Sequence, residues 1–283
     1  MDFIDKNMWA ILVIAASFFN ALWTSLTTNK DESMSAVDFT VLFRLYTVLM
    51  IMPFAIFYIK IEHFYNLTFW ITTIGYAVAE GLRTIFIVKG AKEDYYATYA
   101  FVNMSPIVPL LVAPLFSAEK LTFYIIAGTV VTMFGGFMFY KMGKVTMSGI
   151  YVAVIGGIGI IVSKIGVDVS NGVSFPFVSF IASVIVFTLV KWLLRGENIL
   201  DKSVKNLKNK KIMLPAFFSA IATITYFTSL NLAPMTKVAP LMRMNLIFGF
   251  LLSYFMLKEI GGWRNKIIGG GLVMLGGLLV YAG

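Results

Sequence analysis

Runs of roughly 20 apolar residues, each long enough as a helix to span ~30 Å of bilayer hydrocarbon, recur along the whole chain with only short polar breaks. They fall at about residues 8–27, 37–60, 67–89, 94–116, 120–140, 147–166, 174–194, 212–231, 237–257 and 264–282. Composition points the same way. The 283 residues are 59% hydrophobic and 13% charged, with a mean hydropathy of +0.85, more apolar than a water-soluble core of this size requires. The expectation is an all-α integral membrane protein with ten transmembrane helices. The first run is too long for a signal-peptide core and lacks a small-residue cleavage site, so it is expected to stay in the mature chain.

The chain also repeats itself. Lys237-Val-Ala-Pro-Leu-Met-Arg243-Met-Asn245 opens an apolar stretch that ends at Lys258-Glu259 and resumes as a glycine-rich run from Gly269 to Tyr281. Earlier, Thr98 to Phe116 contains Asn103 and Pro106, Glu119-Lys120 closes it, and Gly128 to Tyr140 follows. With Glu119 laid on Glu259, Asn103 falls on Arg243, and the glycine pairs and final tyrosines agree after one residue is inserted behind Glu259. The simplest reading is a duplicated unit, with five helices in residues 1–144 and five in 145–283.

Polar residues inside the runs carry what the sequence says about chemistry. In the first, Ser17, Asn20, Thr24 and Thr27 share a helix face beside Trp23, which suits either helix packing or a cavity lining. Arg44 lies about a third of the way into the second run, as a snorkelling or capping arginine or as a functional one. The third holds the only deep acid, Glu80, one turn from Arg83 and in line with Tyr76. A buried structural pair and a cavity-facing pair both fit, since ionisable groups at mid-helix each cost ~2.5 to 3.5 kcal/mol on insertion scales. The fourth adds Tyr99 and Asn103 before Pro106 and Pro109 interrupt the hydrogen-bond ladder, and the eighth places Ser219, Thr223 and Tyr226 on one face. Gly128 and Gly135 in the fifth run, and Gly269 and Gly276 in the tenth, return to one face every seven residues, so these two helices are expected to pack closely on each other.

Taken together, the chain resembles the EamA-type proteins of the drug/metabolite transporter superfamily over essentially its whole length. The marks are Trp23 within a short first helix, Arg44 early in the second, and a proline-bearing fourth helix ending in Glu119 before a glycine-rich fifth, a pattern repeated at Glu259. The resemblance implies two inverted five-helix repeats, a central cavity built by the first, third, fourth, sixth, eighth and ninth helices, and alternating access. It also implies that the fifth and tenth helices pack together.

Three deep arginines (Arg44, Arg83, Arg243) and Lys237 face one deep acid, Glu80, and that cationic surplus favours an anionic ligand. The expected function is secondary transport of a small polar metabolite, anionic or zwitterionic, of the amino acid, organic acid or sugar phosphate class. The candidate substrate-binding residues are Arg243, Arg83, Glu80, Asn103, Tyr99, Tyr226, Asn20 and Trp23. A flippase for an anionic lipid-linked carrier would use the same arginines, and a receptor or structural membrane protein is a further alternative. An enzyme is not expected: the chain has no cysteine, its one histidine, His63, is in a loop, and no acidic cluster lies within a run. No cofactor, metal or nucleic acid is expected; the partners are a small solute and membrane lipid, and one chain forms a complete transport unit.

The net charge of +9 lies mostly in loops beside the membrane, including a basic stretch from 191 to 211 expected to be solvated on anionic lipid. Of the 23 Lys and Arg, fifteen follow odd-numbered helices and five lie on the opposite side, apart from the three deep arginines. The bias places loop 191–211 in the cytoplasm and both termini outside the cell membrane, against the usual arrangement of the family it resembles.

Overall fold

Hydrocarbon gives backbone N–H and C=O groups no partners except one another, and the chain is helical almost throughout. The computed structural model describes residues 2–27, 36–116, 119–140, 145–195, 210–257 and 262–283. Most of the basic stretch 191–211, and Lys258 with Glu259, lie outside the described residues. The helices are α1 (Asp2–Thr27), α2 (Ala36–Tyr58), α3 (Leu67–Val102), α4 (Ile107–Phe116), α5 (Phe123–Tyr140), α6 (Met147–Asp168), α7 (Ser174–Arg195), α8 (Lys210–Leu232), α9 (Met235–Leu241), α10 (Asn245–Leu252) and α11 (Trp263–Ala282). A 3₁₀ turn, Ile61–Tyr65, contains His63; another, Met242–Met244, joins α9 to α10; and a π turn, Ser253–Leu257, follows α10.

Among the described residues, eight helical stretches are long and apolar enough to cross a membrane: Asn7–Leu26, Asp38–Tyr58, Thr98–Leu115, Phe123–Tyr140, Met147–Asp168, Ile212–Leu232, Met235–Phe255 and Trp263–Ala282. The protein is therefore a multi-pass membrane protein. Two of the ten expected spans differ. Within α7 the apolar part, Ser174–Leu189, is shorter than those eight. Residues 67–89 are not set off from the fourth span, because no proline stands between Lys89 and Thr98 to end the helix. Helical hydrogen bonding runs on from Leu67 to Val102, and the axis bends instead. A Cβ on Gly90 would lie 2.5 Å from the Thr98 hydroxyl oxygen, eight residues ahead; a straight helix would separate those positions by about 12 Å.

Caps fix where the elements begin. Asn66 accepts from Thr68 N at the start of α3 (2.9 Å), and Thr146 from Gly149 N at the start of α6 (3.1 Å). Asn171 does more: its Oδ1 accepts from Val173 N and Ser174 N ahead of α7, while its Nδ2 and the Ser174 hydroxyl donate to Tyr58 O at the end of α2. Each such cap contributes about 1 kcal/mol and ties one helix end to another. Lys191 departs from its expected place in a solvated stretch. It is buried within α7, and its ammonium donates to Asp38 in the first turn of α2, the carboxylate that makes burying a lysine tolerable.

The principal helix pairs are α5 with α11, α3 with α6, α1 with α8 and α2 with α7. The α5–α11 pair is antiparallel and backbone to backbone. A Cβ at Gly128 would lie 2.6 Å from the Gly276 carbonyl oxygen, and one at Gly135 would lie 2.7 Å from that of Gly269. The reciprocal positions, Gly276 and Gly269, are each 2.6 Å from the facing carbonyl, so no larger residue fits at any of the four. Elsewhere the core is aromatic: Phe175, Phe180 and Phe227 surround Tyr76 and Phe69 packs on Phe175, with ring centroids 5.6 to 6.3 Å apart. Large apolar side chains such as Phe57, Leu115 and Phe123 stand on the outside, as a hydrocarbon solvent allows.

Candidate functional site

Glu80 and Arg83 occupy one face of α3, as their spacing predicts, and α2 brings Arg44 to the same carboxylate. Arg44 Nη2 donates to Glu80 Oε1 at 2.7 Å, while Arg83 Nη1 reaches both carboxylate oxygens at 3.2 and 3.0 Å. The Arg44 guanidinium also lies over the ring of Phe180, 4.1 Å from its centroid. One acid thus serves two arginines, and the three side chains are only 12 to 25% exposed. Tyr76, read as part of the same polar stripe, lies in electrostatic range of all three and packs its ring into the aromatic core.

A narrow crevice between α2, α3 and α7, too tight to admit a water molecule, reaches Arg44 and Glu80. It is floored where the ring of Phe187 rests on Gly81, at a spot a Cβ would occupy.

The second part of the site is made where two helices break. From Asn103 to Val108 the backbone bonds run i to i−3, through Asn103 N to Ala100 O, Met104 N to Phe101 O and Val108 N to Ser105 O. Pro106 lacks an N–H and tightens this turn. The 140-residue offset of the sequence repeat carries Asn103 to Arg243, which lies in the 3₁₀ turn between α9 and α10, downstream of Pro240. The two breaks touch: Arg243 Nη2 donates to Ser105 Oγ at 2.7 Å. Ser17 of α1 closes the other side, its hydroxyl 3.1 Å from Met242 O and 2.8 Å from Val13 O.

Arg243 is 7% exposed and, among the described residues, has no carboxylate partner. Its Nε and that of Arg83 are both buried without a hydrogen-bond partner. The two guanidiniums are close enough to repel, and Tyr226, Tyr140 and Tyr99 lie in range of one or both. Three arginines against one glutamate leave two positive charges in the interior of the membrane-spanning helices.

The other candidates divide. Tyr226 and Tyr99 join the arginines, Tyr99 with its ring 6.0 Å from that of Tyr140. Asn103 is buried against Gly136 of α5, its amide donating to Tyr99 O at 2.7 Å. Asn20 accepts from Trp23 Nε1 at 2.9 Å, and that indole packs on Phe43 of α2. Those three are engaged within their own helix or by the next. Sequence reasoning passed over Ser105 and Tyr140. Ser105 had one signal, its place before Pro106 at the break; Tyr140 had only its position as the counterpart of Tyr281.

The structure is thus that of a multi-pass helical membrane protein with two buried arginines, Arg83 and Arg243, near the contact of two helix breaks. Residues 144–282 match the EamA-like transporter family. That match, over just under half of the chain, supports an EamA-type transporter of the drug/metabolite transporter superfamily. A solved crystal structure, described only as that of a protein, is similar over 97% of this chain and 98% of its own, at 12% identity and a TM-score of 0.73, a likeness of fold alone. No curated protein matches.

Proposed function

We propose that this protein is a secondary transporter moving a small polar metabolite, anionic or zwitterionic, across the cell membrane by alternating access. The observation that carries the reading is Arg243, a buried guanidinium held by one hydroxyl, with a free Nε–H beside a second arginine. A carboxylate or phosphate presents two oxygens to such a fork and balances charge that no described acid balances. Amino acids, organic acids and sugar phosphates all carry that group. Arg83 has a counter-ion, but it shares Glu80 with Arg44, so Arg83 can turn to a ligand while Glu80 stays paired.

The halves 1–144 and 145–283 act as inverted repeats in this reading, and the helix pairings support it. Exchanging first with sixth, second with seventh and third with eighth spans turns α1–α8 into α3–α6 and α2–α8 into α3–α7, all observed pairs. In the α5–α11 seam Gly128 meets Gly276 and Gly135 meets Gly269, the reciprocal pattern of a two-fold axis. Because those helices are antiparallel, the axis lies in the membrane plane, the arrangement that supports alternating access. The seam closes within one chain, so a monomer suffices. The charge bias puts both termini outside and loop 191–211 in the cytoplasm. A cysteine placed at Asn209 should then be shielded from impermeant thiol reagents in intact cells, and ready labelling would reverse the orientation.

Counterflow of labelled amino acids, dicarboxylates and sugar phosphates in proteoliposomes tests the function. The wild type should exchange at least one of them. Arg243→Lys keeps the charge but loses the fork, and with Arg243→Gln should give folded, monodisperse protein whose affinity falls about tenfold or more. Normal counterflow by both variants ends the proposal.

A further inference from the structure

A groove of about 390 Å³ lies on the outside of the molecule, between α1, the broken ninth span and α11. Its walls are Ile11, Ile14, Leu241, Met244, Met274 and Leu278, so its body is hydrocarbon. All three walls belong to stretches that cross the membrane. The groove follows the membrane normal: from Asn7 to Ile14 on α1, and from Met274 to Tyr281 on α11, it runs two helical turns, about 10 Å. Only one end is polar. There the Tyr281 hydroxyl donates to Asn7 Oδ1 at 2.6 Å, and the Trp9 ring stacks on Tyr281 at 6.1 Å. Asn7 and Tyr281 stand at the ends of their spans, where amphipathic rings sit at a bilayer's headgroup level.

The corresponding place in the other half is filled. The same alignment that pairs Glu119 with Glu259 lays Phe101 on Leu241 and, after the one-residue insertion, Phe137 on Leu278. Phe101 and Phe137 meet edge to face at 6.0 Å. Leu241 and Leu278 are too small to meet in that way, and Leu278 is left 57% exposed. One half therefore supplies its own packing, and the other leaves the space to the solvent at that depth.

We infer that this groove is a binding site for one phospholipid acyl chain, its ester end at Asn7 and Tyr281 and its methylenes against Leu241 and Met244. A chain seated there packs behind the Met242–Met244 turn that holds Arg243. The site is separate from the transport reading and stands without it.

The test uses the full chain in phosphatidylcholine nanodiscs containing phosphatidylcholine with a mid-chain diazirine. After irradiation, adducts are mapped by peptide mass spectrometry. They should concentrate on residues 241–244 and 274–281 relative to the exposed face of α5 at Val130 and Phe134. In the Leu241→Phe/Leu278→Phe double variant, which transplants the other half's filling, they should fall to the level of that α5 face. Leu278→Phe alone, at an exposed position, should give a partial fall and guards against misfolding of the double variant. Equal labelling of both faces, labelling unchanged by the substitutions, or crosslinks joining two chains through the groove would each overturn the inference.

Discussion

The α5–α11 seam and the Arg44–Glu80–Arg83 cluster both lie within membrane-spanning helices, and they reach stability by opposite routes. The seam removes side chains until two backbones touch, so everything it needs is in the two helices. The cluster puts charge where hydrocarbon disfavours it and depends on partners from α2, α3 and α7 at once. A seam of glycines is finished when the chain has folded. The cluster keeps one positive charge in excess of its acid, and Arg243 nearby makes the excess two, a charge the proposed anionic ligand would balance.

The largest effect should come from the seam. Gly276→Leu or Gly135→Leu drives a side chain into a carbonyl under 3 Å from the Cβ position, and the backbone cannot yield, so a loss of at least about 3 kcal/mol is expected. Thermal unfolding in detergent would show it, and unchanged melting of both variants would break the contrast. Glu80→Gln comes next, because it leaves Arg44 and Arg83 facing each other without an acid. A cost of about 3 kcal/mol is expected, at the low end for a broken buried pair because these groups keep some exposure. Adding Arg44→Gln should recover part of that loss; no recovery would mean that Arg44 takes its stability from Phe180 instead. The smallest effect is at Glu119, between α4 and α5, whose carboxylate accepts from Met235 N, Thr236 N and the Thr236 hydroxyl. Glu119→Gln should cost about 1 kcal/mol, the scale of a helix cap and its charge. A drop matching that of Glu80→Gln would make this junction a third kind of region.

The glycine seam was legible in the sequence because seven-residue spacing is a local signal that maps directly onto a helix face. The Glu80–Arg83 pair was legible for the same reason. Arg44 was not, because its partner is 36 residues away on another helix and nothing in the chain between them records the meeting. Asn103 and Trp23 looked like ligand groups since polar and indole side chains in apolar runs are costly, yet each finds its hydrogen bond or packing within reach of its own helix or the next. The bend near Gly90 falls where the sequence reading parted the third and fourth spans, but no proline stands there and the helix continues through it, which the sequence did not announce. Ser105 is one small hydroxyl in an apolar run, and only the contact between the two breaks gives it a role.

Ser17 has one hydroxyl hydrogen and two carbonyl oxygens within reach, one in its own helix and one on the facing break. A donor placed in this way always has somewhere to go. If α1 draws away from the ninth span, the hydrogen returns to Val13 and the serine is satisfied at every stage, while Met242 O keeps the backbone N–H of Asn245. The contact can be opened and remade without stranding the donor or the carbonyl, at the very turn that carries Arg243.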